Sequence, residues 1–444
     1  MRLLDRDLGP LGGCFFRIIV WRCGNVWRGN NIPQSRIHKR MAEDLGDAFM
    51  IQLPWTDLIK TVHRSEYQLV AAVTGGGSRA ISQLLGVPGA SHTMLEAVVP
   101  YAHRALIDWL GGTPDQWCSE LTARAMAMAA WMRARQLAPD ADPPALVGIG
   151  ATASLATNRP KRGEHRVHVA AQTASQTTSY SLVLSKGRRD RRKEEWLAAK
   201  LLLVAVGEAC QADLRAARIA LLQQLSVEEP IERRQQAAEA AWTELLLGAR
   251  QCVVLTSPSA GDAKRSEPPS LIFPGAFHPP HRGHQRMAGL AAARLGQPVA
   301  FEISMTNVDK PPLDFIEIRA RLDALQQFDR EATLLLTDAP TFREKANLFP
   351  SSTFIAGADT IVRIGDLRYY DGNVSQRDQA VQEIAERGCR FLVFGRQIEG
   401  RFRVLGDLSI PEELRSLCEE VPADEFREDV SSTELRKERD SPSS

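Results

Sequence analysis

From Leu271 onward the chain alternates between two textures. Short apolar runs, LIF (271–273), VAFEISM (299–305), ATLLL (332–336), TFIAG (353–357), RFLVFG (390–395) and finally EFREDV (425–430), are separated or followed by helical patterns, among them 281–295 and 314–329. Short apolar runs are the mark of strands buried on both faces, and strands that alternate with helices assemble into a parallel sheet covered by those helices. Such a sheet takes its ligands beyond the carboxyl ends of its strands. The expectation over 271–440 is an α/β domain with a Rossmann-like parallel sheet and helices on both faces.

A chain of 444 residues exceeds one ordinary domain, and a second α/β domain is expected over 50–250. A helical pattern, TDLIKTVHRSEYQL, leads into the apolar run LVAAV and then TGGGSRAISQLLG. An Ala/Met-rich helix is predicted at about 119–136, a buried strand at ALVGIG (145–150), and half-buried strands at HRVHVAAQT and TSYSLVLS. The charge run GRRDRRKEE (187–195) reads as a phosphate grip or as a solvated helix start, opening an Ala/Leu helix to about 223. A helical pattern at 231–247 and a short apolar run at 252–255 follow. TSPSAGDAKRSEPPS (256–270) reads as the linker. Residues 1–40 read as an irregular extension outside the fold: CFFRIIVW (14–21) contains Arg17 and has no cleavage site behind it, so it is not taken as a signal peptide. Periodic structure starts near Met41, and Met41 or Met50 is an alternative start.

A net charge of +1 provides no global field to attract nucleic acid or an anionic membrane. The seven Cys are scattered without a Cys-x-x-Cys pair, which argues for a reducing compartment, the cytoplasm, and against a disulfide framework or zinc site. No apolar run is long enough to span a bilayer. A small anionic substrate stays open, as does a homo-oligomer.

Three of the nine His fall within GAFHPPHRGH (275–284). LIFPG reads as a strand ending at Pro274-Gly275, and HRGHQRMAGLAAARLG as a helix ended by Gly296. His281 and His284 then lie in the first turn of a helix after a strand, on one side of it. There the outward N–H groups and the helix dipole favour a phosphate. Gly275 allows close backbone approach and Gly283 keeps bulk out between the imidazoles. A metal site competes, but no Cys lies nearby and no His follows to supply a third ligand.

The stretch Gly275-Ala-Phe277-His278-Pro-Pro-His281-Arg-Gly283-His284 resembles the Gly-x-Phe-x-Pro-x-His-x-Gly-His signature of the nucleotidyltransferase superfamily, which includes nicotinamide-mononucleotide adenylyltransferases, phosphopantetheine adenylyltransferases and cytidylyltransferases. VSSTELRK (430–437) resembles its Ile-Ser-Ser-Thr-x-Ile-Arg motif, and FIAGADTIVRI (354–364) the Ile-x-Gly-Ala-Asp segment of the nicotinamide branch. The resemblance implies transfer of a nucleoside monophosphate from ATP, or CTP, to a phosphorylated acceptor, with Mg2+ bound mostly through substrate oxygens. It implies that His281 and His284 stabilise the transferring phosphoryl group, and that Ser431, Ser432, Thr433 and Arg436 hold the triphosphate. Gly357 belongs to the nucleotide site in this reading, and Asp359 reads as a ribose contact or a helix cap. Lys310 and Arg396 read as phosphate contacts or surface cations. One departure is His278, where the family commonly has Asn or Asp.

Residues of about 55–225 are similar to the C-terminal domain of the CinA family, whose active members are nicotinamide-nucleotide amidohydrolases. The similarity rests on VAAVTGGGSRAISQLLGVPGAS (70–91), AVVPYAHRALIDWLG (97–111) and LVGIGATAS (146–154). Thr74, Gly75, Gly76 and Tyr101 are retained as a ligand site, whereas Ala72 and Leu106 stand where the nucleophilic Ser and the Lys are expected. Neither an alanine nor a leucine side chain can do that chemistry. Ser78 is a displaced candidate with no basic partner evident. The resemblance implies a degenerate first domain and, for the second, adenylyl transfer to nicotinamide or nicotinic acid mononucleotide. Another acceptor, or a non-catalytic nucleotide sensor, is the alternative.

Overall fold

Two sheets carry the fold, each built on a different pattern of burial. The computed structural model describes residues 54–159, 161–255, 269–308 and 310–428. The first sheet has six strands, β1 (Gln68–Thr74), β2 (Met94–Val98), β3 (Leu146–Ser154), β4 (His165–Gln172), β5 (Gln176–Leu184) and β6 (Ile231–Ala237), in the order β2-β1-β3-β4-β5-β6. β1 is parallel to β2 and β3, and the rest pair antiparallel. Helices α1 (54–64), α2 (Arg79–Leu85) and α4 (Arg191–Ala209) pack on one side, with Trp55, Leu58, Leu84, Leu201 and Leu202 fully buried among the strands. Helix α3 (Glu120–Leu137) lies close against β3, because a Cβ on Gly148 would sit 2.1 Å from Ala127 O and one on Gly150 2.2 Å from Ala123 O.

The second sheet holds β7 (Cys252–Leu255), β8 (Leu271–Pro274), β9 (Ala300–Ser304), β10 (Thr333–Thr337), β11 (Thr353–Gly357) and β12 (Arg390–Phe394). A small hairpin, β13 (Arg396–Ile398) and β14 (Arg401–Arg403), precedes the last strand, β15 (Cys418–Val421). The order is β15-β12-β11-β8-β9-β10-β7, parallel except for β7, which runs antiparallel to β10. The chain winds outward from β8 through β9 to β10, then returns to wind the other way from β11. Helices α5 (Arg282–Leu295) and α6 (Phe315–Phe328) cover one face, burying Met287, Ala291, Ile318 and Leu322 against Phe273, Phe301 and Leu334. Helices α7 (Phe342–Leu348), α8 (Ala358–Gly365) and α9 (Val374–Glu386) cover the other, burying Ala346, Ile361 and Val381 against Ile272, Phe354 and Phe391. This is a doubly wound α/β sheet, and its switch point lies between β8 and β11.

The two sheets share a core. Val70, Met128, Trp131 and Leu146 of the first belong to the same buried cluster as Phe273 and Phe301 of the second, and Trp242 stacks on Phe315 at 6.3 Å. The described residues from Trp55 onward group as one unit.

Several segments differ from expectation. The helical pattern at 231–247 splits into strand β6 and a short helix, Ala240–Leu246. IERRQQA carries helix-forming residues, but pairing with the open edge of β5 overrides that weak preference, and its charged side chains suit an exposed edge. The Ala/Leu helix ends at Ala209, and a separate helix spans Arg215–Leu222. Among the described residues the last strand is CEEV, with Val421 buried beside Phe394; of EFREDV, 425–428 lies outside the sheet and 429–430 lies outside the described residues. The run at 252–255 joins the second sheet, and 256–268 of the linker lies outside the described residues. Cys118, Cys210, Cys252, Cys389 and Cys418 are free, and no described helix is long and apolar enough to cross a membrane.

Candidate functional site

The His motif sits at the switch point. β8 stops at Pro274, and Gly275 donates its N–H to Glu302 O at 2.9 Å. Phe277 adopts a positive φ of 44°, a conformation that costs a non-glycine residue about 1–3 kcal/mol. Its ring is fully buried, edge-on to Phe273 at 5.3 Å, His284 at 5.1 Å and Phe301 at 5.4 Å. Burial on that scale contributes roughly 1.5–3 kcal/mol and offsets the strain. A Cβ on Gly275 would lie 2.7 Å from the Phe277 ring. Gly275 is therefore required by Phe277, and the pair fold the loop from beneath.

His281 is the N-cap of α5, in extended backbone. Its N–H donates to His284 Nδ1 at 3.1 Å, which places the proton of a neutral His284 ring on Nε2. The imidazoles stack with centroids 3.7 Å apart. A Cβ on Gly283 would come within 3.0 Å of His281 Nδ1, so this glycine leaves room for the ring. That Nδ1 is buried and has no hydrogen-bond partner among the described residues. Burial first, then the charge of Arg396, lowers the His281 pKa. Burial, His281 and Arg396 together push His284 down to about 3.

Arg396 comes from the other side of the switch point, one residue past β12 and its Gly395. Burial lowers its own pKa, opposed by Asp359, whose Oδ1 is 3.9 Å from Nε. Its Nη2 points at Met287 Sδ, 3.3 Å away. A Cβ on Gly357 would meet Asp359 Oδ1 at 2.4 Å and Arg396 Cγ at 2.9 Å, so the bare glycine at the end of β11 lets the guanidinium cross. A cation whose side chain is four-fifths covered, with one distant carboxylate, lies near enough to two neutral imidazoles for its charge to lower both of their pKa values. That arrangement attracts a compact anion and offers it N–H donors.

The structure thus gathers Gly275, Phe277, Gly283, His281 and His284 with Gly357, Asp359 and Arg396. Lys310 is exposed, and no described contact joins it to them. Ser431, Ser432, Thr433 and Arg436 lie outside the described residues. Glu428 was not anticipated: it accepts from Arg286 at 2.6 Å and Arg282 at 3.1 Å, tying the end of the described chain to α5. Those arginines, four apart on one helix face, were the only sequence signal for it. His278, the departure from the motif, donates from Nδ1 to Glu317 Oε1 at 3.0 Å.

A cavity of about 630 Å³ opens on the same carboxyl side of the sheet, lined in part by Asn307, Phe342, Arg363, Tyr369, Tyr370 and Gln379. Helix α8 connects the two places, carrying Asp359 beside Arg396 and Thr360 and Arg363 into the cavity wall. Among the described residues no group of three or more His, Cys, Asp or Glu gathers as metal ligands.

In the first sheet, Thr74, Gly75, Gly76, Ser78 and Tyr101 line one cavity of about 410 Å³. Ala72 and Leu106 lie beneath it in an apolar cluster with Leu110 and Met126. The Thr74 hydroxyl is committed to Pro100 O at 3.0 Å. Gly75 has a φ of 75°, and a Cβ there would overlap Ala153 O. Glu195 fills the loop's donors, accepting from Gly77 N at 2.8 Å, Ser78 Oγ at 3.1 Å and Arg79 N at 3.3 Å. The charge run supplies Glu195 and also the lining residues Arg191 and Arg192, while Asp190 caps α4.

Residues 272–438 match a cytidylyltransferase-like domain, a range that holds the His motif and the second sheet apart from β7. Among curated proteins none matches the chain. Among solved structures, the competence/damage-inducible protein CihA from Agrobacterium tumefaciens is similar at 19% identity, covering 39% of this chain and 96% of its own, with a TM-score of 0.28. A competence-damaged protein (CinA) superfamily protein from Escherichia coli is similar at 20% identity, covering 38% of this chain and 90% of its own, with a TM-score of 0.27.

Proposed function

We propose that the second domain transfers the adenylyl group of ATP to nicotinamide mononucleotide or nicotinic acid mononucleotide and releases pyrophosphate. The observation that carries the reading is the pair of stacked, neutral imidazoles at the N-terminus of α5, held uncharged by burial and by the largely covered guanidinium of Arg396 from across the switch point. An oxygen of the acceptor's phosphate attacks the α-phosphorus, the bond to the bridging oxygen breaks, and pyrophosphate leaves with the electron pair. The protein's work is to hold two anions in line and to neutralise charge as it develops. His284 Nε2–H and His281 donate to the α-phosphoryl oxygens, and Arg396 balances the triphosphate. Magnesium arrives as part of the Mg–ATP substrate. The cavity with Phe342, Tyr369 and Tyr370 suits an aromatic ring on the acceptor, and Arg363, which donates to the Tyr369 hydroxyl at 3.1 Å, brings a positive charge to the same wall.

The test is pyrophosphate release with magnesium, across ATP and CTP, each against nicotinamide mononucleotide, nicotinic acid mononucleotide and phosphopantetheine. Release should require ATP with a pyridine mononucleotide. His284→Ala should lower turnover by roughly two to three orders of magnitude, the usual cost of removing a donor to transition-state charge, while circular dichroism stays that of the parent. Release with another pair would reassign the acceptor. Near-parental turnover in the variant would remove the site.

A further inference from the structure

The signature loop is tied, through one buried carboxylate, to the first domain. Glu317 stands in the first turn of α6 with its side chain 5% exposed. Its Oε1 accepts from His278 Nδ1 at 3.0 Å and Arg321 Nε at 2.9 Å. Arg321 continues to the loop backbone, donating from Nη1 to Ala276 O at 3.1 Å. Its Oε2 faces the other way, 3.5 Å from Arg124 Nη2. Arg124 belongs to α3 of the first domain, is equally buried, and donates from Nη1 to Asp314 Oδ1 at 2.7 Å. Asp314 is the N-cap of α6 and accepts from Glu317 N at 3.1 Å. Beside it the first domain's Thr177 accepts from Phe315 N at 3.0 Å. Burial opposes ionisation of Glu317, yet His278, Arg321 and Arg124 together hold its carboxyl well below the usual carboxylate range.

We propose that Arg124 is a positioning residue for nucleotidyl transfer, acting through Glu317 to set His278 and Ala276 and so the loop that carries Phe277 and His281. The inference rests on the reading of the second domain as a nucleotidyltransferase. It gives the first domain a role that needs no ligand and no catalytic groups of its own. A buried guanidinium that satisfies two carboxylates from another domain is a poor choice for stability alone, since apolar side chains of similar volume do as well or better. Its fixed geometry, in contrast, transmits position: a loop displaced by about 1 Å can cost on the order of a hundredfold in rate.

The test uses the full chain and three variants: Arg124→Met, Arg124→Lys and Glu317→Gln, with the double variant Arg124→Met/Glu317→Gln. Each is checked for cooperative unfolding, then assayed for kcat, KM and affinity for Mg–ATP by calorimetry. Arg124→Met should lower kcat about tenfold or more with KM for the acceptor little changed. Arg124→Lys should recover part of the loss, and the double variant should lose no more than the worse single one, as residues acting in series do. Folded variants with parental kcat and Mg–ATP affinity would overturn the proposal and leave the enzyme reading intact. If the parent itself shows no turnover with any substrate pair, the enzyme reading fails, and positioning is then judged on Mg–ATP affinity. A weakening of about tenfold in Arg124→Met and Glu317→Gln alike sustains the positioning of the loop by Arg124, now for nucleotide binding and not for transfer, and unchanged affinity overturns it. If Arg124→Met does not fold, Arg124→Lys and Glu317→Gln decide by the same readouts.

Discussion

At the scale of single residues, the site depends on keeping two imidazoles uncharged beside a cation. His284 titrates at about 3 when folded, against about 6.5 for an exposed imidazole. Between those values the unfolded chain binds more protons than the folded one, so this group's contribution to stability is fully present above about pH 6.5 and is lost as pH falls towards 3. The loss is on the order of a few kcal/mol. Thermal unfolding without nucleotide should therefore shift to lower temperature between pH 7 and pH 4, and His284→Gln should flatten that slope. A bound triphosphate opposes that depression of the pKa, because an anion favours the protonated ring, and His284 Nε2–H is the donor in either state. Calorimetry of Mg–ATP binding near pH 6 in buffers of different ionisation enthalpy should show net proton uptake, less in the variant. Binding heats independent of buffer would show that the rings stay neutral and act as donors only. What the sequence made legible here was local: ten consecutive residues place His281, His284, Phe277 and both glycines. Arg396 read equally well as a surface cation, because its burial depends on Gly357 and Met287, both distant in sequence.

At the scale of elements, the joint where β11 becomes α8 is the narrowest point of the site. Gly357 is its hinge, and a methyl group there would overlap Asp359 Oδ1 and Arg396 Cγ. Both are side chains that can move, so Gly357→Ala should fold with a loss of stability of about 1 kcal/mol or less. Arg396 would be pushed away from the imidazoles, and affinity for Mg–ATP should fall about tenfold. Equal affinity in the variant would mean that Arg396 does not face the triphosphate. The strands that flank this joint were readable because fully buried strands are continuous apolar runs. Edge strands were not. IERRQQA lacks alternation because only Ile231 and Gln236 are even partly covered, and CEEV is too short and too charged to stand out from its surroundings. An edge strand is defined by the neighbour it finds, which composition does not encode.

At the scale of the molecule, a chain that reads as two domains and a linker is knit together on both sides of that linker. β7 precedes the linker, yet it completes the second sheet against β10, pairing Val253 with Leu336 and Leu255 with Leu334. Trp242, also upstream, is fully buried against Phe315, with Arg319 stacked 4.8 Å over its ring. Arg124 adds a buried charge whose two closest partners, Asp314 and Glu317, lie in the other domain, with Glu120 of its own helix at 3.8 Å. Separating the domains would bare the edge of β10, the Trp242–Phe315 contact and two carboxylates without their cation. The stability of an ordinary domain is only about 5–15 kcal/mol, so baring this shared surface removes a large part of it. Differential scanning calorimetry of the full chain should therefore show one cooperative transition, with calorimetric and van't Hoff enthalpies in agreement. A fragment beginning at residue 269 should unfold at lower temperature or aggregate through the exposed β10 edge, and restoring 250–268 should recover only the part due to β7. Two resolved transitions, one of them matching that of the fragment, would show that the shared core does not couple the domains, and would leave the Arg124 linkage as a contact without mechanical consequence.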